Sequence, residues 1–242
     1  MAGSEPTSEV AGYVLAGGKS SRMGTDKALL RLGGKPLIEH AVTKLRRICS
    51  DVHILSSNSK LSLYAPLVPD LHAGCGPLGG IEAALAHSTH PWNLFFPVDL
   101  PFVPSAFLND WVRTIVNRRG MRIRIALFSV LGVPQPTLLL IHRDAVSHIA
   151  RAVSRGEFKL FPVLQTAALE LALPDAPASE QVPFMLPIDE HFIYGGWQEP
   201  HPGPSWQILT AAQRAAQPFW FANLNTPQDF AEAEANISAL DT

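Results

Sequence analysis

The chain is predicted to fold as a three-layer α/β/α domain on a mostly parallel sheet, and three observations carry that prediction. Apolar runs of strand length alternate with segments of helical period across short connections, the order that a parallel sheet with crossover helices requires. The first run, Val10 to Leu15, leads within two residues to adjacent glycines, Gly17 and Gly18. A later one, Asn93 to Val98, ends directly on an acid, Asp99. In open parallel sheets ligands bind outside the carboxyl ends of the strands, so both endings mark where chemistry is expected.

Composition narrows the function classes. With 242 residues, 47% hydrophobic and 17% charged, the chain is long enough to bury a sizeable core and reads as globular. No apolar run approaches the ~20 residues that cross a bilayer. Residues 1–9 carry Glu5 and Glu9 and read as a flexible lead-in, not a signal peptide, so a cytoplasmic location is expected. Cys49 and Cys75 stand at no metal-ligand or redox spacing, which excludes a disulfide framework. A net charge of −2 gives no overall attraction to nucleic acid or an anionic membrane. Between residues 11 and 50, however, eight Lys and Arg face only Asp26 and Glu39, which favours a compact anionic ligand.

The first strand opens onto LAGGKSSRMGTDKALL, residues 15–30. Adjacent glycines after a strand let backbone N–H groups approach an anion, because no Cβ blocks the way. Lys19, Arg22 and Lys27 add three cations, Ser20, Ser21 and Thr25 add hydroxyls, and Asp26 is the only acid. Such a loop suits a triphosphate, with a solvated basic turn as the alternative. A P-loop fails because position 13 is Tyr where glycine is needed, and G-x-G-x-x-G fails because the glycines are adjacent.

Pro36 to about Arg47 has apolar Leu37, Ile38, Ala41, Val42 and Leu45 at helical spacing, with Lys44, Arg46 and Arg47 near its C-terminal end. Asp51 to Ser56 reads as the second strand, with His53 structural. Leu67 to Asp70 is a short extended piece. Glycines at 74, 76, 79 and 80 then point to a backbone closely approached by something, and Pro77 suits the first position of a helix extending to about Ser88. After the strand ending at Asp99, a helix is expected from Pro104 to about Arg119, strands at 122–130 and 137–141 around a turn at 132–137, and a helix from Arg143 to Ser154. The stretch 174–204 holds seven prolines but also Phe184, Met185, Phe192, Tyr194 and Trp197, so it reads as an ordered excursion packed on the body. Phe219 to Leu224 is expected as a last strand, and Thr226-Pro227 as the cap and first residue of a final helix. Residues 10–242 are thus expected to form one domain.

LAGG, Arg22-Met23-Gly24 and Asp26-Lys27-Ala28-Leu29-Leu30, with Pro69-Asp70, GCGPLGGIEAAL at 74–85, Asp99-Leu100-Pro101-Phe102 and FANLNTP at 221–227, resemble the molybdenum cofactor guanylyltransferase (MobA-like) family of nucleotidyltransferases. The resemblance covers about 10–170 and 219–235; the proline-rich stretch departs from it. It implies a Rossmann-like nucleotidyltransferase fold and transfer of GMP from GTP to the phosphate of molybdenum-loaded molybdopterin, with Mg²⁺ and release of pyrophosphate. Arg22, Lys27 and Asp99 map to catalysis, with Asp99 as the metal ligand. Leu15, Ala16, Gly17, Gly18, Lys27, Asp70, Gly76, Pro77, Leu78 and Asp99 map to the nucleotide, and Gln135, Asn223 and Asn225 to the acceptor. Implied partners are GTP and molybdopterin, with transient contact to other cofactor-biosynthesis proteins or apo-molybdoenzymes, and neither nucleic acid nor membrane.

A cytidylyltransferase of the same pathway or a sugar-phosphate nucleotidyltransferase would share every phosphate-handling residue. A nucleotide-binding regulator without turnover would not require the metal ligand Asp99. Gly17, where cytidylyl relatives carry Ala, favours a purine.

Overall fold

The structure is a computed structural model describing residues 6–16, 26–117, 123–172, 182–188 and 208–241. Its main sheet has seven strands: β1 (Thr7–Leu15), β4 (Cys49–Leu55), β5 (Leu67–Val68), β6 (Trp92–Pro97), β7 (Ile125–Val130), β8 (Val133–His142) and β9 (Phe184–Ile188). Two short strands, β2 (Arg31–Leu32) and β3 (Lys35–Pro36), form a separate hairpin. The sheet order is β5-β4-β1-β6-β8-β7-β9. All neighbours are parallel except β6 with β8 and β7 with β8, so the mostly parallel sheet expected from sequence is what forms.

Two layers of helices cover it. Helices α1 (Leu37–Arg46) and α3 (Ser105–Val116) lie on one face; α2 (Pro77–His87), α4 (Val146–Ser154) and α5 (Leu160–Leu171) lie on the other. The period of two along β1 explains the division: Val10 and Val14 enter the α1/α3 core, Ala11 and Tyr13 the α2/α4/α5 core. Gly12 has no side chain because α1 approaches there. A Cβ would stand 3.2 Å from Cys49 Sγ and 3.3 Å from Leu45 Cδ1. The chain ends with α6 (Ala211–Ala215) and α7 (Pro227–Glu234).

Five elements differ from the sequence expectation. Strand β1 begins at Thr7, so residues 7–9 of the expected flexible lead-in already belong to the sheet, with Thr7 paired to Cys49. Phe219 to Leu224 is not a strand: a 3₁₀ turn, Gln217–Phe219, leads into irregular chain. Trp220 and Leu224 are buried and Phe219 and Phe221 half-buried, with Trp220 and Phe221 against Phe107 of α3 instead of in the sheet. Trp220 lies 5.1 Å from the Phe107 ring and donates its indole N–H to Gln213 O at 3.0 Å. The turn expected at 132–137 is only Leu131-Gly132, with φ +49° and +78°. Val133 to Thr137 already belongs to β8, whose prolines 134 and 136 sit beside the register shift opposite Leu127 and Phe128. Helix α5 was not anticipated, although Leu160, Val163, Leu164, Ala167 and Ala168 bury one face at helical spacing. Within the proline-rich stretch, Phe184–Ile188 joins the sheet as β9 beside β7. Residues 173–181 and 189–207 of that region lie outside the described residues.

The order β4-β1-β6 sets the location of the site. From β1 the chain crosses to β4 and β5 on one side, then returns to β6 on the other, leaving a switch point between the carboxyl ends of β1 and β6.

Candidate active site

At that switch point Val98 N–H donates to Leu15 O at 3.2 Å, continuing the ladder by one residue past β6. Asp99 comes next and projects its carboxylate beyond the strand. The segment after the Gln217–Phe219 turn passes over this edge, held by Leu224 N–H to Asp99 O at 3.1 Å. Helix α7 then starts in a capping box: Thr226 Oγ1 accepts from Asp229 N–H, and the Asp229 carboxylate accepts from Thr226 N–H at 2.7 Å. Asp229 also takes the Asn225 N–H at 2.7 Å, so the cap fixes the backbone that carries the Asn225 amide. These two N–H groups hold the Asp229 carboxyl below the usual carboxylate range.

Lys27 joins the two parts. It begins a 3₁₀ turn, Lys27–Leu29, and its Nζ lies 2.6 Å from Asp99 Oδ2 and 2.7 Å from Asn225 Oδ1. The Lys27 and Asp99 side chains are 19% and 20% exposed. The pair is thus largely covered, yet water still reaches both charges. A phosphate can take the ammonium while a hard cation takes the carboxylate.

Asp70 follows β5 and packs on the first turn of α2. Its oxygens lie 3.8 Å from a Cβ built on Gly79 and 3.5 Å from one built on Gly80. Partial burial pushes its carboxyl above the usual value. Gly76 precedes α2 with φ +60°, a conformation that side chains resist, so the glycine there is required by the backbone. Pro77 occupies the first turn of α2 as expected, whereas the Leu78 side chain is fully buried and leaves only its backbone for a ligand. Asn223 lines a cavity of about 50 Å³ with Phe102, Phe219 and Asp229. Gln135, on β8, donates its amide to Val133 O at 3.2 Å. Leu15 and Ala16 are half-buried at the end of β1; Gly17, Gly18 and Arg22 lie outside the described residues.

The structure thus brings together Lys27, Asp99 and Asn225 from the sequence-derived set. Two residues that sequence reasoning missed support them. Asp229 was readable, since Thr226 and an acid three residues later form a capping-box pattern. Asn58, bonded through Nδ2 to Asp26 Oδ2 at 2.6 Å, follows a strand without any motif. Among the described residues no group of three or more His, Cys, Asp or Glu is arranged to hold a metal ion.

Residues 12–170 match the family described as MobA-like NTP transferase domain. A molybdenum cofactor guanylyltransferase of Yersinia pestis (strain Pestoides F) is 32% identical over 165 residues, 65% of this chain and 80% of that protein. The solved structure of molybdopterin-guanine dinucleotide biosynthesis protein A from Archaeoglobus fulgidus superposes with a TM-score of 0.62 at 23% identity, covering 95% of this chain and 100% of the other. The 2-C-methyl-D-erythritol 4-phosphate cytidylyltransferase of Thermus thermophilus shares the fold at a TM-score of 0.51 and 16% identity, covering 95% and 99%.

Proposed function

The chain belongs to the MobA-like NTP transferase domain family and is a nucleotidyltransferase of molybdenum-cofactor-related biosynthesis; from that premise we propose that it transfers GMP from GTP to molybdenum-loaded molybdopterin. The observation that carries this reading is the Lys27 ammonium bridging Asp99 at 2.6 Å and Asn225 at 2.7 Å. A phosphate-binding cation, a candidate metal ligand and a candidate acceptor contact meet at one strand edge.

In the proposed reaction a phosphate oxygen of the pterin attacks the α-phosphorus of GTP. The bond from that phosphorus to the oxygen bridging to the β-phosphate breaks, and pyrophosphate leaves with the electron pair. The attacking phosphate is already ionised at neutral pH, so no general base is needed. The protein's task is to hold two anions together against repulsion and to neutralise the leaving group. Lys27 and Arg22 are assigned to the triphosphate, and Asn223, Asn225 and Gln135 to the acceptor. Leu15 to Gly18, Asp70 and the Gly76-Pro77-Leu78 backbone enclose the nucleotide.

Asp99 fits Mg²⁺, because a single partly exposed carboxylate supplies the hard oxygen donor that this ion combines with phosphate oxygens and water. When bound, the ion supplies positive charge to the phosphates. Purified protein assayed for pyrophosphate release with molybdopterin should prefer GTP over CTP and ATP. Asp99→Asn should lose at least ~10²-fold in turnover with an intact fold, the scale of removing one preorganised charge-stabilising group. Near-normal release by Asp99→Asn at saturating Mg²⁺ would remove the assignment; equal use of CTP would move the protein to cytidylyl transfer.

A further inference from the structure

The geometry points to Asn58 as a positioning residue for Lys27, acting through Asp26. This rests on the proposed role of Lys27 and adds what holds that cation in place. Lys27 belongs to a 3₁₀ turn of only three residues, Lys27–Leu29, of which Ala28 alone is fully buried. So short a turn has little packing of its own to fix it, and a lysine side chain carries much rotamer freedom. At its far end the turn is tied to α1 by Leu37 N–H to Leu30 O at 2.9 Å. At its near end, where Lys27 sits, the tie runs through side chains.

Asp26 caps the turn: its Oδ1 accepts Ala28 N–H at 3.0 Å. That bond alone would travel with the turn and anchor it to nothing. Its other oxygen, Oδ2, accepts Asn58 Nδ2 at 2.6 Å, from the loop that follows β4. Asn58 is itself fixed. Its N–H donates to Ser56 Oγ at 3.1 Å, and its Oδ1 accepts Lys60 N–H at 3.1 Å as the cap of the next 3₁₀ turn, Ser59–Leu63. With its oxygen committed to its own turn, its amide NH₂ can only point outward, and it meets Asp26.

Capping alone does not explain asparagine at 58. Asp caps about as well but offers no donor to a second carboxylate, whereas the Asn amide accepts through its oxygen and donates through its nitrogen at the same time. The two caps therefore form one bridge from the carboxyl end of β4 to the backbone of Lys27.

Exchange of donor and acceptor tests it. Asn58→Asp keeps a cap for Lys60 N–H but sets two carboxylates face to face. The expected result is a ~10- to 100-fold fall in kcat, the scale of displacing a catalytic group by about an ångström, with little change in KM for GTP or in Tm. The double variant Asp26→Asn/Asn58→Asp restores an amide-to-carboxylate bond in the opposite sense and should recover most of the lost kcat. Wild-type kcat in Asn58→Asp, or no recovery in the double variant with both proteins folded, would overturn the assignment. Lys27→Ala is measured alongside. Wild-type turnover in that variant would overturn the role of Lys27 itself, whereas its loss beside an unaffected Asn58→Asp would overturn only the bridge.

Discussion

Lys44 shows how far a single residue can depart from what its sequence position implies. Near the C-terminal end of a helix, where a cation favours the helix dipole, it is nonetheless only 1% exposed. Its ammonium donates to Val103 O and to Asp241 Oδ2 and lies 5.9 Å from the centre of the Phe96 ring. Asp241 also accepts from Ser105 N–H at 2.9 Å and Gln213 Nε2 at 3.0 Å. Its partner lies 197 positions away, which no local pattern reports. Removing one member of such a pair strands the other charge in the core, so Asp241→Ala should cost ~3–5 kcal/mol in a denaturant melt. Lys44→Met should cost less, because the Asp241 carboxylate it leaves behind keeps the Ser105 N–H, the Gln213 amide and the Arg47 guanidinium at 3.8 Å. Site residues divide the same way: Lys27, Asp99 and Asn225 belong to fixed short motifs and were legible, whereas Asn58 acts through a contact 32 positions from its partner.

At the scale of elements, the helix cap at Thr226 and the strand endings were legible because their determinants are a few residues apart. Thr226→Ala should cost ~1 kcal/mol of stability by loss of the cap, and should lower turnover by more than that cost implies, because Asn225 loses its fixed backbone. Thermal melts and pyrophosphate release on the same preparation separate the two effects. Strand against packed irregular chain was not legible at Phe219 to Leu224, since burial against a helix and burial in a sheet leave the same apolar run. The α2 start offers a sharper element-level test. A Cβ on Gly79 would lie 3.0 Å from Cys75 Cβ and 3.3 Å from His72 O, so Gly79→Ala must push the 70–76 loop away from the helix. It should raise KM for GTP while leaving KM for molybdopterin nearly unchanged, read from initial rates.

Across the whole molecule, stability should fall with pH in two stages. Burial lowers the His53 pKa from 6.5 despite the opposing Asp51, with His87 and His90 lowering it further. Burial likewise leads in lowering His142 from 6.5, with Asp144 opposing and Arg124 adding to the fall. The unfolded chain then takes up protons that the folded one resists, so stability declines as pH drops below ~6.5. Burial acts to raise Asp241, but the Lys44 charge and the hydrogen bonds of Lys44 and Ser105 outweigh it and leave the carboxyl lowered from 3.8. Its contribution is present above that value and is lost as pH falls through the depressed one. Melts from pH 7 to 3 should show both declines, with His53→Gln flattening the first and Asp241→Asn the second. A single decline confined below pH 4 would contradict the histidine part.

The bond from Lys27 to Asn225 closes a loop of 198 positions. Loop-closure entropy rises only slowly with length, about 0.6 kcal/mol per doubling, but a contact so distant in sequence forms only after the intervening chain has found its place. This exposed bond therefore belongs among the last contacts to form and the first to break, while Trp220 and Leu224 of the same segment stay in the core. Under the proposed function, a nucleotide and an acceptor bind only the form in which this bond is made, and each at a hundred times its Kd adds ~2.7 kcal/mol to that form; the substrates would then act as straps on the segment around Asn225. In limited proteolysis, cleavage within 217–226 should slow markedly when GTP and molybdopterin are present together, and cleavage elsewhere should change less.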